Sequence, residues 1–272
     1  MSSNTTGVSD TIVLYDIPGK TGSRAWSPNV WKARLVLNYK GIPYRTEWVS
    51  FPDIETTFKD IGINASTAKA NGEILYTCPA IIDYTVSPAE KLTDSNVIAQ
   101  YLDNKYASEE QYGPKLFPEG TVDVQLAFID RFKAALMPLG ALTLGCIPAM
   151  LNCSRGAEYY NKTRSEKHGK PLTEFYPAGS PEREQAWKGL QKGLDTLAAA
   201  YDKNEEGGGE YAFGRAITYF DIVVVAAFLS ARYIPVDRDG QEVKCAWDVI
   251  KTWNGGKWQK LMEKFENHLQ VL

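Results

Sequence analysis

The spacing of apolar residues changes character once along this chain, and that change limits the fold more than any other feature. From residue 11 to about 106 the apolar segments are short and alternate in type, whereas beyond about residue 120 every periodic segment reads as helix. Ile12-Val13-Leu14-Tyr15 reads as a buried strand, residues 44–49 as a second, and the run after Pro79 as a third; Lys91-Leu92 offers a short antiparallel fourth. Between them Val30, Trp31, Leu35, Val36, Leu37 and Tyr39 predict an amphipathic helix that stops at Gly41. Residues 53–61 predict a short helix, followed by a loop through Asn71-Gly72. Val97, Ile98, Tyr101 and Leu102 fall on one face of a third helix. The expected organisation is an α/β unit over 11–106, a linker bearing Pro and Gly over 107–120, and an all-helical unit over 121–272.

The helical unit carries its own punctuation. Leu126, Ile129, Phe132 and Leu136 have core spacing, and Pro138 and Pro148 are expected to kink or end helices. Ser180-Pro181-Glu182 opens a helix with a cap, a proline at the first position and acid near the dipole, continuing through Trp187, Leu190, Leu194 and Tyr201. Residues 205–209 read as a surface loop. Thr218 and Asp221 form a capping box, with Ile217 and Ile222 placed as a staple, before a stretch apolar on all sides that predicts a central buried helix. Trp247, Trp253, Trp258, Leu261, Met262 and Phe265 close the chain in one or two further helices.

Composition removes several function classes. With 272 residues, 44% of them hydrophobic, the chain can bury one large core or two modest ones. A net charge of -3 gives no electrostatic footprint for nucleic acid or an anionic membrane, so neither is an expected partner. Residues 1–10 lack the basic start and apolar core of a signal peptide, and the apolar run 222–229 is too short to span a bilayer. A soluble, cytoplasmic protein is expected. Cys78, Cys146, Cys153 and Cys245 form no Cys-x-x-Cys pair and no zinc-like spacing, which suits a reducing compartment and no metal. Only His168 and His268 are available to a nucleophile-histidine mechanism. Neither lies in a suitable turn, and both are expected on the surface.

The chemistry concentrates at Trp26-Ser27-Pro28-Asn29-Val30-Trp31-Lys32, where the first strand hands over to the first helix. Proline at the first helical position gives up only an amide that had no partner, and the remaining amides and the dipole offer positive charge to an anion beside the Ser27 hydroxyl. Pro79 must sit where no ladder amide is needed, and a cis bond there leaves the backbone of Cys78 free for a ligand. Asp94-Ser95 stands at the start of the third helix. Simple helix capping is the alternative reading for Ser27, Asp94 and Ser95. For Cys78 the alternative to a reactive thiol is a small, buried, apolar role.

The order of Ser27-Pro28, Cys78-Pro79, Asp94-Ser95 and then a buried helix opened by Thr218 and Asp221 resembles the cytosolic glutathione transferases, over almost the whole chain. Within them, residues 27–32 followed by Leu37-Asn38-Tyr39-Lys40-Gly41 are similar to bacterial β-etherases and to the fungal etherase-related class called FuA. The resemblance implies a thioredoxin-like domain that holds glutathione as cosubstrate, a helical domain with a hydrophobic second site, and a homodimer. By that resemblance Ser27 hydrogen-bonds the glutathione sulfur, the backbone of Cys78 before cis Pro79 pairs with the cysteinyl part, and Asp94 and Ser95 receive the γ-glutamyl end. Lys69 or Lys59 reaches the glycine carboxylate. Trp26, Phe128, Phe132, Tyr159 and Tyr160 lie in segments where the second site would form.

The physical chemistry of the helix start agrees. A free thiol titrates near ~8.5, and a helix N-terminus with one donor lowers that by about two units, roughly 2.7 kcal/mol. Ser27 and Val30 stand where cysteines would make a mixed disulfide or a dithiol site, so thiol-redox chemistry is disfavoured. Addition of glutathione to aromatic electrophiles, peroxide reduction and ether cleavage stay open. The second reading is a ligandin that sequesters aromatic small molecules.

Overall fold

The computed structural model describes residues 11–68, 72, 74–236 and 244–272. The polar segment 1–10, Lys69 and Asn71, which entered the expectations above, lie outside the described residues.

The chain enters through β1 (Ile12–Asp16), fully buried, and then α1 (Pro28–Tyr39), β2 (Tyr44–Trp48) and α2 (Ile54–Asp60). A small antiparallel pair, β3 (Thr67–Ala68) with β4 (Ile74–Leu75), precedes β5 (Ala80–Asp83), β6 (Glu90–Thr93) and α3 (Ser95–Lys105). Four strands form one mixed sheet in the order β2-β1-β5-β6, with β1 parallel to β2 and antiparallel to β5. The parallel step is supplied by α1 as crossover, the only short route between parallel neighbours. The register carries a functional consequence, because Tyr15, Ala80 and Thr93 lie in one row across the sheet. Chain leaving that row at Asp16, Pro79 and Asp94 therefore emerges along a single edge.

α1 departs from expectation. Instead of one apolar stripe it buries every residue from Val30 to Asn38, Lys32, Arg34 and Asn38 included. It lies between the sheet, α3 and the central helix of the second half, so it has no solvent face. Arg34 is satisfied by Asp16 at 2.7 Å, Tyr44 at 3.1 Å and Thr46 at 3.0 Å, and Asn38 donates to the carbonyls of His268 and Gln270. α3 also differs, since Val97 is exposed and the buried stripe is Ser95, Ile98, Ala99 and Leu102.

After the short α4 (Glu109–Tyr112), α5 runs from Val122 to Leu144, straight through Pro138. The proline does not end it because α5 packs along its length against a partner helix, and the close approach is made by glycines of that partner. A Cβ at Gly193 would lie 2.8 Å from that of Ala135, and one at Gly189 3.4 Å from the Pro138 ring. α6 (Ile147–Met150) and α7 (Ser154–His168) follow, and then that partner, α8 (Pro181–Glu206), capped by Ser180. α8 continues through Glu205 and Glu206, in place of the loop expected there.

α9 (Tyr219–Tyr233) is the central buried helix, with both halves of the Thr218/Asp221 capping box formed. The Asp221 carboxylate accepts from the Thr218 amide and hydroxyl, the Ala212 amide and the Tyr201 hydroxyl, all within 3.0 Å. α10 (Trp247–Ile250) and α11 (Lys257–Glu263) complete the helices. Among the described residues no helix is long and apolar enough to cross a membrane. His168 is exposed, but His268 is not the surface residue expected: its ring packs between Tyr39 and Phe265, and burial lowers its pKa.

Candidate active site

The loop between β1 and α1, residues 17–27, is fixed at both ends and in the middle. At its start Asp16 is fully buried, accepting from the Ile17 amide at 2.6 Å and from Arg34 of α1. In the middle the Lys20 amide donates to the Met150 carbonyl at 2.7 Å, its ammonium to the Ala149 carbonyl at 2.9 Å, and Gly19 bridges to Leu151. The helical half thus grips the loop directly. At its end the Trp26 indole lies on Gly19 so closely that a Cβ there would be 2.6 Å from Cδ1. Only glycine admits the ring.

Ser27 follows in extended backbone as the N-cap of α1, buried, with its carbonyl accepting from Trp31 at 2.9 Å. Its hydroxyl makes no capping bond to the helix. The simple-cap reading therefore does not account for this serine: the hydroxyl is not spent on the amides of Asn29 and Val30, which the helix itself cannot satisfy. Pro28 occupies the first helical position.

Cys78 and Pro79 precede β5 through a cis bond, next to the end of β1, and a second cis bond joins Ser87 to Pro88. Cys78 is buried and burial raises its thiol pKa well above the ordinary value, the behaviour of a small apolar residue rather than a reactive one.

Across the same edge Asp94 does cap α3. Its Oδ1 accepts from the amides of Asn96 at 2.7 Å and Val97 at 3.3 Å, leaving Oδ2 outside the cap. Its backbone is held at φ +71, a conformation that disfavours a side chain and that persists only where surrounding contacts impose it. Ser95 is buried, and Tyr219 from α9 reaches in to donate to Asn96 at 2.9 Å. Ser27, Cys78-Pro79 and Asp94-Ser95, far apart in sequence, are thus brought to one edge of the sheet.

The five aromatic candidates divide. Trp26 and Tyr160 join through Phe51, at ring separations of 6.2 and 5.3 Å, with Arg164 over both Phe51 and Tyr160. Phe128 and Phe132 pack instead around Phe220 and Phe213 of the helical core, and Tyr159 is exposed. Phe51 and Arg164 are not legible as candidates in the sequence, because only the fold places the turn after β2 against α7. Lys59 is exposed and pairs with Glu55 at 2.6 Å.

A mixed four-stranded sheet with α1 as its crossover, completed by a helical half that grips the β1–α1 loop, is the thioredoxin-like architecture of the glutathione transferase fold. Family models for the glutathione S-transferase N-terminal and C-terminal domains match residues 26–105 and 124–268. A glutathione S-transferase-like protein, ustS, of Aspergillus flavus is 33% identical over 263 residues, 91% of each chain. Among solved structures, a Ceriporiopsis subvermispora glutathione S-transferase in complex with glutathione is 34% identical with a TM-score of 0.85, covering 96% of this chain and 99% of that one. GSTFuA3 of Phanerochaete chrysosporium is also 34% identical, with a TM-score of 0.83 and coverage of 96% and 98%. The chain belongs to the glutathione S-transferase family.

Proposed function

We propose that this protein is a serine-type glutathione transferase that binds glutathione along the sheet edge and adds its sulfur to hydrophobic, aromatic electrophiles. The observation that carries the reading is the Ser27 hydroxyl, unspent on its own helix at the N-terminus of α1. There it donates to the glutathione sulfur, while the open amides and dipole of α1 favour the thiolate. The Cys78 backbone before cis Pro79 pairs with the cysteinyl part, and Asp94 and Ser95 take the γ-glutamyl end. Ser27 acts as a donor and forms no covalent bond. Trp26, Phe51 and Tyr160 line the aromatic side of the second site. Aryl-ether cleavage and peroxide reduction are further reactions of the same thiolate, and a homodimer is the expected assembly.

Glutathione consumption and product mass, followed with aromatic electrophiles and aryl ethers from pH 5.5 to 9, test this. In Ser27→Ala the alkaline shift of the rate profile should approach one to two pH units, as one donor to the thiolate is lost. An unchanged profile would remove Ser27 from the mechanism. Absence of product from the wild-type protein, with tight binding of aromatic probes, would instead indicate a ligandin.

A further inference from the structure

A cation taken out of water needs a counter-charge or a way to lose its own charge. Arg34 pairs with Asp16 at 2.7 Å, Lys40 with Asp103 at 2.8 Å, and Arg183 reaches the carbonyls of Tyr176 and Val236. Lys32 is buried against the side-chain oxygen of Asn29, at 2.9 Å, and forms no ion pair among the described residues. As a lysine it can release its proton, and burial lowers its pKa to about 8. Arg164 has neither recourse. It is half-buried, it forms no ion pair among the described residues, and a guanidinium does not deprotonate in a protein.

Its surroundings hold the charge in place without neutralising it. Arg164 stands one turn beyond Tyr160 on α7, with Cζ 4.8 Å from the centre of the Tyr160 ring and 5.5 Å from that of Phe51, which opens the turn after β2. Its polar contacts there are neutral. Nη1 donates to Thr163 Oγ1 at 2.9 Å, and the Tyr160 phenol beside it has its pKa raised by burial, which the guanidinium offsets only in part. The carboxylate of the facing turn, Asp53, is spent on Arg155 in the first turn of α7. Two rings thus fix a planar, charged fork whose shape matches a carboxylate.

The same rings lead to the reacting group. Phe51 is 6.2 Å from the Trp26 indole, and Trp26 is joined by its peptide bond to Ser27. Trp26 and Tyr160 are buried, whereas Phe51 is half-buried and leaves ring surface for a ligand. Resting on the transferase reading above, we propose that the aromatic electrophile accepted by this site carries a carboxylate, which the Arg164 guanidinium receives while the ring lies against Phe51. Arg164 is thus a specificity-determining residue that selects aromatic acids over neutral arenes. The acid sits at the far end of the ring from the carbon that glutathione attacks, because Phe51 links Arg164 to the Trp26-Ser27 segment.

The test uses two substrates with one electrophile, 3-(4-chloromethylphenyl)propanoate and its primary amide, in which two methylenes insulate the carboxyl group from the reacting carbon. In both, the glutathione thiolate forms the C–S bond at the benzylic carbon as the C–Cl electron pair leaves with chloride. At neutral pH the wild-type protein should take the acid with the lower KM, and added salt should erode that preference. Arg164→Gln should raise KM for the acid at least about tenfold with kcat little changed, alter the amide by less than about twofold, and be partly rescued by Arg164→Lys. Equal KM values for acid and amide in the wild type overturn the assignment, as does an equal loss for both in Arg164→Gln, the mark of a residue that only shapes the wall. A raised KM for glutathione, measured with the amide, overturns it too, since the guanidinium then serves the glycine carboxylate of glutathione. A wild-type protein that forms no product from either substrate overturns the transferase reading itself, and this assignment with it. Where Arg164→Gln does not fold, Arg164→Lys decides instead: a KM change confined to the acid supports the assignment, and an equal change for both substrates overturns it.

Discussion

Replacing Lys32 with methionine should stabilise the protein, although the substitution removes a buried side chain from α1. The lysine pKa falls from its ordinary 10.5 to about 8, with burial as the first cause. At 1.36 kcal/mol per unit, the charged form is disfavoured in the folded state by roughly 3 kcal/mol. The sign follows from proton counting. Below about pH 8 both folded and unfolded chains carry the proton, and the full penalty applies. Between 8 and 10.5 the unfolded chain keeps its proton while the folded one releases it, so wild-type stability rises with pH across that window and the penalty is gone above it. Methionine is unbranched, fills similar volume and carries no charge. Urea unfolding should therefore place Lys32→Met about 3 kcal/mol above wild type at pH 7 and only about 1 kcal/mol above it at pH 9.5. Comparing the two proteins at each pH cancels the titration of every other group. A variant less stable than wild type at pH 7, or a difference that does not change with pH, would refute the argument that this cation is buried unpaired.

The remaining predictions test the scaffold around the site. Arg34→Met leaves Asp16 buried without its partner and should cost about 3–5 kcal/mol in urea unfolding, with Asp16→Asn in the same background recovering part of the loss. Asp221→Ala removes the acceptor of four hydrogen bonds beneath α9 and should cost about 3 kcal/mol or more by the same assay; a loss below about 1 kcal/mol would show the box to be incidental. Gly19→Ala drives a methyl into the Trp26 indole and should cost about 1–3 kcal/mol, with a matching change in tryptophan fluorescence and reduced conjugation, because Ser27 is the next residue along the chain after Trp26.

Local chemistry is readable where a residue type does one job at short range. The proline after Ser27, the Ser180-Pro181 start and the Thr218/Asp221 box each announce a helix within four residues, and each helix begins there. Pro79 before a run of apolar residues likewise locates β5. What the sequence conceals depends on distant partners. Periodicity marks Phe128, Phe132 and Tyr160 alike as apolar helical positions, but only the packing of α7 against the turn after β2 sends Tyr160 toward Trp26 and leaves the phenylalanines in the helical core. The burial of Arg34 and Lys32 is hidden for the same reason. A charged residue at helical spacing reads as a solvent-facing position until the sheet, α3 and α9 are all in place around it. Pro138 misleads because proline ends an isolated helix, whereas α5 has the glycine face of α8 to hold it.

The same long-range contacts explain how one sheet edge can act as a site at all. Donors at a helix N-terminus stabilise an anion well only if they need no rearrangement to do so, which requires that α1 not shift along the sheet. Here α1 is held from every side. Arg34 ties it to the end of β1, Trp31 stacks on Tyr233 of α9 at 6.3 Å, and Asn38 binds the carbonyls of His268 and Gln270 near the end of the chain. α3 is fixed through Tyr219 to the first turn of α9, and the loop that carries Ser27 is bonded to Met150 and Ala149. Both helix heads at this sheet edge are therefore located by the helical half, α1 through Tyr233 and α3 through Tyr219, at opposite ends of α9. A change in the tilt of α9 would move Ser27 and Asp94 relative to each other, and in the proposed function the span between them is the dimension that a γ-glutamyl-cysteine unit must match. On this argument the helical half sets the length of the proposed glutathione site, even though all the groups proposed to touch glutathione lie on the sheet half.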